Sequence, residues 1–198
     1  MSGVAYAELQ VTSHFSFLRG ASSCEELFAQ AASMGISALG IVDRNSLAGI
    51  VRAYEAARTT GVRLIVGCRL DLADGMSVLV YPTDRPAYAR LCRLLSLGKK
   101  RAGKGKCHLE WQDLVVYGEG LLAVLVPDIA DETCALHLRR LREAFGDRAY
   151  MALTLTQYFG DIFIALAAGI PLAFLLGMAI EWLFVRHLYK RDHLQQVL

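Results

Sequence analysis

Polar and charged side chains follow three apolar segments of the N-terminal half, each of which is predicted to be a strand. These tails read Gln-Val-Thr-Ser-His at 10–14, Asp-Arg-Asn at 43–45 and Gly-Cys-Arg at 67–69. Sites of α/β proteins gather at the carboxyl ends of strands, so these side chains are the first candidates for chemistry. Imidazole and carboxylate groups that converge at such ends are what metal-assisted hydrolysis requires. His14 is the one imidazole among them, and a lone loop histidine is more often a surface residue than a ligand.

A second candidate is a run of five positive charges within eight residues of a glycine-rich segment. Its members are Lys99, Lys100, Arg101, Lys104 and Lys106. Such a run is a candidate for phosphate contact, and the commoner alternative is a solvated mobile loop. No other motif completes an active site, because neither a Walker loop nor a G-x-G-x-x-G pattern is present and no serine has a nucleophile arrangement.

The elements that must position these candidates alternate between strand and helix patterns. Strands are predicted over 5–11, 38–43, 62–72, 76–82 and 121–127, and helices over 26–34, 47–60, 86–97 and 131–145. Ser22 and Ser23 precede glutamates by three residues, which is a doubled capping-box signal. The Asp74-Gly75 pair predicts a hairpin. Strands that alternate with helices predict an α/β fold with a mainly parallel sheet.

Composition narrows the class of protein. The 198 residues are 55% apolar and 20% charged with a net charge of +2, which excludes collagen-like, disordered and disulfide-framework proteins. The near balance of charges does not by itself favour a nucleic-acid binder. Five scattered cysteines without a C-x-x-C pair indicate reduced thiols in the cytosol.

These segments resemble the N-terminal PHP (polymerase and histidinol phosphatase) domain of bacterial DNA polymerase III alpha subunits. YAELQVTSHFSFLRGAS at 6–22 and DRNSLAGIVRAYEAA at 43–57 are most similar to the error-prone, DNA-damage-associated branch, and RLCRLLSLGKKRAGKGKCHL at 90–109 adds to the match. The resemblance covers about residues 4–148. It implies a distorted β/α barrel, here truncated to a part, which in active members holds divalent metal ions for phosphoester hydrolysis.

The resemblance also identifies the metal-binding positions. Active members carry His-x-His after the first strand, Asp-His after the second and a glutamate just past the glycine of the third. These positions are Gln10, Thr12, Asp43, Arg44 and Arg69 here. Only Asp43 keeps a ligand type, and an arginine repels a cation and pairs with a carboxylate such as Asp43 instead. We therefore expect a degenerate site with internal ion pairs, no catalytic residue and no bound metal.

The C-terminal part of the sequence differs in character. Residues 162–180 carry no charge, and the apolar run continues to 185 apart from Glu181. At about 1.5 Å per residue, 162–185 is long enough to cross a hydrocarbon core of about 30 Å. The fold class predicted from the sequence is therefore α/β, a partial PHP-type barrel followed by a C-terminal transmembrane helix. A buried helix of a large soluble core is the alternative.

Residues 149–198 resemble an internal stretch of the membrane permease of branched-chain amino acid ABC transporters. The run from Glu181 to Leu198, E-x-x-x-x-R-x-L-Y-x-R-D-H-L-x-Q-V-L, is the specific part. This second resemblance predicts two domains, a truncated PHP domain over 1–148 and a permease-like fragment over 149–198, joined as a chimera.

The expected function is that of a metal-site-degenerate PHP domain of an error-prone, translesion DNA polymerase, without polymerase activity by itself. The resemblance implies magnesium as the cofactor of the intact family, DNA and replication or repair proteins as partners, and a cytoplasmic location. No small-molecule site is evident. The alternatives are a membrane-tethered PHP-type phosphoesterase and a permease-associated membrane protein.

Overall fold

A computed structural model describes residues 6–127, 129 and 131–152 of the chain. Its strands are β1 (Ala7–Val11), β2 (Ala38–Ile41), β3 (Arg63–Val66), β4 (Cys68–Asp71), β5 (Ser77–Pro82), β6 (Leu121–Leu125) and β7 (Ala149–Met151). Its helices are α1 (Cys24–Ser33), α2 (Ile50–Thr60), α3 (Arg85–Arg101), α4 (Trp111–Tyr117) and α5 (Glu132–Phe145). The alternation of strands with helices agrees with the predicted α/β character.

The strands form two sheets in the described part of the chain. The first is parallel with the order β1-β2-β3. The second has the order β4-β5-β6-β7, in which only the β6–β7 pair is parallel. The prediction of a mainly parallel sheet is therefore right for the first sheet and wrong for the second. The predicted hairpin explains the difference, because a short turn through Gly75, at φ 86°, joins only antiparallel neighbours.

The two sheets meet where β2 ends and β4 begins. Gly67 interrupts the predicted strand 62–72, and Arg44 pairs with Arg69 in an isolated parallel bridge. The amide of Arg69 donates to the carbonyl of Asp43 at 3.1 Å, and the amide of Asn45 donates to the carbonyl of Arg69 at 2.8 Å. The sequence-predicted site residues of the second and third strands therefore lie at the junction of the sheets.

Helices α1 and α2 share the apolar cluster of the first sheet. Phe28 and Ala53 are fully buried there, together with Ile41 of β2. The capping box that starts α1 uses Ser23 rather than Ser22: its hydroxyl accepts from the Glu26 amide, and its amide donates to the Glu26 carboxylate. Burial of an apolar side chain of this size stabilises the fold by about 1.5–3 kcal/mol, so this face fixes the position of β2.

Helix α3 covers the second sheet and is longer than the predicted 86–97. Leu91 and Leu94 are fully buried in the cluster under that sheet. Gly98 does not end the helix, because it is a close-packing position: a Cβ there would lie 2.6 Å from Cys107 Sγ. Lys99, Lys100 and Arg101 consequently form its last turn, where positive charge interacts favourably with the helix dipole.

No described helix is long and apolar enough to cross a membrane. The longest, α3, has 17 residues, of which six are lysine or arginine. The predicted transmembrane helix over 162–185 lies outside the described residues. The described fold is a mixed α/β fold built from amphipathic helices on two sheets.

Candidate functional site

Asp43 is the buried centre of the site at the end of β2. Its side chain belongs to a residue only 1% exposed. Oδ1 accepts from the Ser13 amide at 2.9 Å and from Ser16 Oγ at 2.7 Å, and Oδ2 accepts from Ser13 Oγ at 2.7 Å. These donors all come from the loop after β1, so the carboxylate anchors that loop to β2. Its oxygens are thereby engaged in the protein's own hydrogen bonds.

The loop after β1 is tightly folded around these serines. Amides of Arg19 and Gly20 donate to the carbonyl of Ser16, and the amide of Ser16 donates to the carbonyl of Ser13. Ser16 Oγ also accepts from the Arg44 amide at 2.9 Å. Ser13 belongs to the strand-end segment 10–14 that the sequence pattern singles out, whereas Ser16 was missed because it follows that segment in the loop.

Arg44 and Arg69 do not pair with Asp43, contrary to the expectation from sequence. Both contact Asp71: Arg44 Nη1 lies 2.9 Å from Oδ2, and Arg69 Nε lies 3.3 Å from Oδ1. Ser77 Oγ donates to Asp71 Oδ1 at 2.8 Å as well. Asp43 is already saturated by serine donors and lies beneath the loop, so the arginines reach the more exposed carboxylate. Asp71 was missed, although it follows Arg69 by two residues and so shares its strand face.

The remaining metal-ligand positions lie near the end of β1. Gln10 is exposed and its amide donates to Glu8 Oε1, while Thr12 is half-buried. Within the described residues, no group of three or more His, Cys, Asp or Glu side chains is arranged to hold a metal ion. The two carboxylates of the site are satisfied by serines and by arginines. The residues present therefore do not fit a divalent metal centre, whose ligands must be free oxygen or imidazole groups.

A cleft of about 670 Å³ opens above this layer. Its charged lining comprises Arg19, Arg44, Lys99, Lys104, Lys106 and one carboxylate, Asp71. The structure thus brings three of the five predicted phosphate-contact residues to the cleft with Arg44. Lys100 is exposed but does not line the cleft, and Arg101 pairs with Asp113. Arg19 was missed because nothing in the sequence places the first loop beside residues 99–106.

His14 lies at the surface beside this loop. It is exposed, and Nδ1 lies 3.3 Å from the carbonyl oxygen of Ser22. This contact agrees with the interpretation of His14 as a surface, hydrogen-bonding residue.

Cys68 lies directly under the site and is predicted to be unreactive. The residue is fully buried, its Sγ lies 3.3 Å from the Asp43 carbonyl, and burial raises the pKa of the thiol to about 12. The reactive species is the thiolate, so at pH 8 only a fraction on the order of 10⁻⁴ would be nucleophilic even with access. We expect iodoacetamide at pH 8 to leave Cys68 unlabelled in the native chain and to label it in urea, as read by peptide mass spectrometry. Half-buried Cys92 serves as the internal reference, and equal native labelling rates at the two cysteines would contradict the prediction.

The two sheets, with a polar cluster at the strand ends, define a mixed α/β domain, and the family comparison is more specific. The sequence matches the PHP domain family over residues 8–167. The chain belongs to the PHP domain family. This match, which runs through residue 167, overturns the predicted fold class with a C-terminal transmembrane helix, and the fold class that it supports is a mixed α/β PHP-like fold.

The relatives are error-prone DNA polymerases. The chain is 67% identical over 178 residues to error-prone DNA polymerase 1 of Agrobacterium fabrum, covering 86% of this chain and 16% of that protein. It is 69% identical over 156 residues to error-prone DNA polymerase 2 of Rhizobium meliloti, covering 79% of this chain and 14% of that protein. The chain therefore spans about a sixth of the length of these relatives.

A solved structure supports the fold alone. An amidohydrolase from Chromobacterium violaceum aligns with a TM-score of 0.53 at 19% identity, over 72% of this chain and 75% of that one. The PHP assignment and the homology to the N-terminal region of an error-prone polymerase confirm the corresponding part of the sequence-based prediction.

Proposed function

We propose that this chain acts as a metal-independent, non-hydrolytic PHP domain of an error-prone DNA polymerase. One observation carries the proposal: Asp43, the one metal-ligand position that keeps a ligand type, is engaged by two serines, and the additional carboxylate Asp71 is engaged by Arg44 and Arg69. The identity of 67% to a polymerase of that type supports the protein class. In this proposal the chain has no polymerase activity by itself.

The site residues act as structural links. Asp43 holds the first loop, while Arg44 and Arg69 neutralise Asp71 across the junction of the two sheets. A guanidinium cannot lose its proton near neutral pH, so it cannot release a ligand position for a cation. In this proposal, hydrogen bonds and ion pairs within the protein take the place of catalysis at the degenerate metal-ligand positions, which are Gln10, Thr12, Asp43, Arg44 and Arg69.

The partners, the cofactor and the cellular location are also proposed, in part from the relatives. DNA and replication or repair proteins are the partners that a polymerase of this type would have, and magnesium would serve at its polymerase site. A cytoplasmic location is supported by five free thiols.

The division of the chain at residue 148 stays a prediction. The described residues up to Ala152 form one compact unit, and most of 149–198 lies outside the described residues. The comparisons give no support to a permease origin for that segment.

The proposal is tested by metal binding and hydrolysis on the full chain. We expect no stoichiometric Mn²⁺, Zn²⁺ or Mg²⁺ by calorimetry and no hydrolysis of bis(p-nitrophenyl) phosphate above a protein-free control. Primer extension with the chain alone is likewise expected to be absent. Metal-dependent hydrolysis that is lost in Asp43→Asn and kept in the surface variant Glu55→Gln would overturn the proposal in favour of a phosphoesterase.

A further inference from the structure

The cleft above Asp71 carries an excess of positive charge. We propose that it binds the phosphodiester backbone of a single-stranded nucleic acid without a metal ion. This inference rests on the proposed function, because a cationic cleft is available for phosphate only where no metal centre occupies it. It concerns the residues of the cleft itself and needs no polymerase activity.

Most of the cationic groups in the cleft have no counter-charge in the protein. Arg44 is matched by Asp71, which Arg69 also contacts. The side chains of Arg19, Lys99, Lys104 and Lys106 make no ion pair or hydrogen bond with any residue in the described ranges. Four unpaired cations around one cavity favour a polyanionic ligand, since each phosphate that they neutralise releases a condensed counterion.

Lys99 brings the start of the basic segment to the cleft, which it lines. It follows Gly98 in the last turn of α3, and it is close enough to Cys107 to oppose the burial that raises the pKa of that thiol. The backbone after it is open, because a Cβ added at Gly103 or Gly105 would meet nothing within 4 Å. Phosphate oxygens can therefore approach both the lysine side chains and the main chain of 103–106.

The cleft also presents an aromatic ring to solvent. Phe17 lines the cleft and is 85% exposed, although its neighbours in the loop are held by the hydrogen bonds of Ser13 and Ser16. Leu18 beside it is 86% exposed at φ 61°, so the turn holds two large apolar side chains outward. An exposed aromatic ring beside a basic groove is the arrangement that stacks unpaired bases and contacts their backbone.

The concave shape selects a single strand over a duplex. A cleft of about 670 Å³ surrounds its ligand with cations from three segments, 19, 44 and 99–106. A flexible strand can bend its phosphates into such a cavity, whereas a duplex presents phosphates on a stiff convex surface. The inference is thus specific to nucleic acid with unpaired bases.

The test is fluorescence anisotropy of the full chain with labelled oligothymidylate of about twelve nucleotides, in EDTA at about 50 mM salt. We expect saturable binding, weaker binding of a duplex of the same length, and competition by unlabelled oligothymidylate. The cleft variant Lys99→Ala/Lys104→Ala/Lys106→Ala is expected to bind at least about tenfold more weakly, with a salt slope smaller by about 2. Phe17→Ala is expected to lose about tenfold.

A matched control removes three positive charges elsewhere. Arg58→Ala/Arg93→Ala/Arg139→Ala changes exposed residues that neither line the cleft nor form ion pairs within the described part of the chain. The control has the same net charge as the cleft variant but keeps every cationic residue of the cleft. Its affinity is therefore expected to stay within about twofold of the wild type.

Three outcomes overturn the inference: no binding by the wild type, equal losses in the cleft and control variants, or equal affinity for duplex. These leave the proposed function standing. Binding that appears only with Mn²⁺ and is lost in EDTA would instead contradict the proposed absence of a metal centre, which separates the two failures.

Discussion

Replacing Asp43 with alanine is expected to destabilise the fold by about 3–5 kcal/mol, since it leaves buried donors without acceptors. The residue is 1% exposed, and its carboxylate accepts from Ser13 N, Ser13 Oγ and Ser16 Oγ. Ser13 and Ser16 are themselves buried, so water cannot easily substitute for the lost oxygens. Loss of the anchor frees the first loop from β2.

Urea unfolding followed by circular dichroism measures this effect. Asp43→Asn, which keeps one acceptor oxygen, is expected to lose less than Asp43→Ala. Glu55→Ala removes an exposed carboxylate from α2 and is expected to change the free energy of unfolding by less than about 0.5 kcal/mol. Equal stability of Asp43→Ala and Glu55→Ala would show that the carboxylate does not anchor the loop.

Gly20→Ala is expected to cost about 2–4 kcal/mol, through a clash rather than a lost hydrogen bond. A Cβ at residue 20 would lie 2.2 Å from the carbonyl oxygen of Ser13 and 2.8 Å from that of Thr12. Both contacts are backbone atoms of the same tight loop, so no side chain can rotate to relieve them. The loop must open, and the serines that bind Asp43 must shift with it.

The matched control is Gly103→Ala, where the added Cβ would meet nothing within 4 Å. We expect that variant to be neutral or slightly stabilised, since alanine restricts the unfolded chain more than glycine does. The comparison is made by urea unfolding, and native-state proteolysis of the first loop reports its opening. A Gly20→Ala protein as stable as Gly103→Ala would mean that the loop adapts without cost.

Local signals in the sequence predicted much of the fold. Ser23 and Glu26 marked the start of α1, and Asp74-Gly75 marked the β4–β5 hairpin. Gly98 was misleading, because a helix-breaking residue type here serves close packing against Cys107 and Leu109. The short elements α4 and β7 carry too few residues for a periodic signal, and tertiary contacts determine both.

The sequence predicted where the candidate site lies, but not which carboxylate pairs with Arg44 and Arg69. The strand-end positions at 43–45 and 67–69 do lie together, as the rule for parallel strands requires. An arginine reaches the carboxylate that is accessible to it. The sequence does not show that the folded loop buries Asp43 and leaves Asp71 partly exposed. The meeting of Arg19 with Lys104 and Lys106 depends on a contact between segments far apart in the sequence.

The pairing of Arg44 and Arg69 with Asp71 also bears on how a metal site could be restored at these positions. Restoring a histidine at 44 would remove one cation from Asp71, and restoring a glutamate at 69 would replace the other with a second negative charge. The histidine would leave Asp71 with one ion pair fewer, and the glutamate would lie beside a like charge that repels it, so each single change is expected to lower the stability of the fold. The two ion pairs therefore link residues 44, 69 and 71, and a metal site at these positions would require several of them to change together.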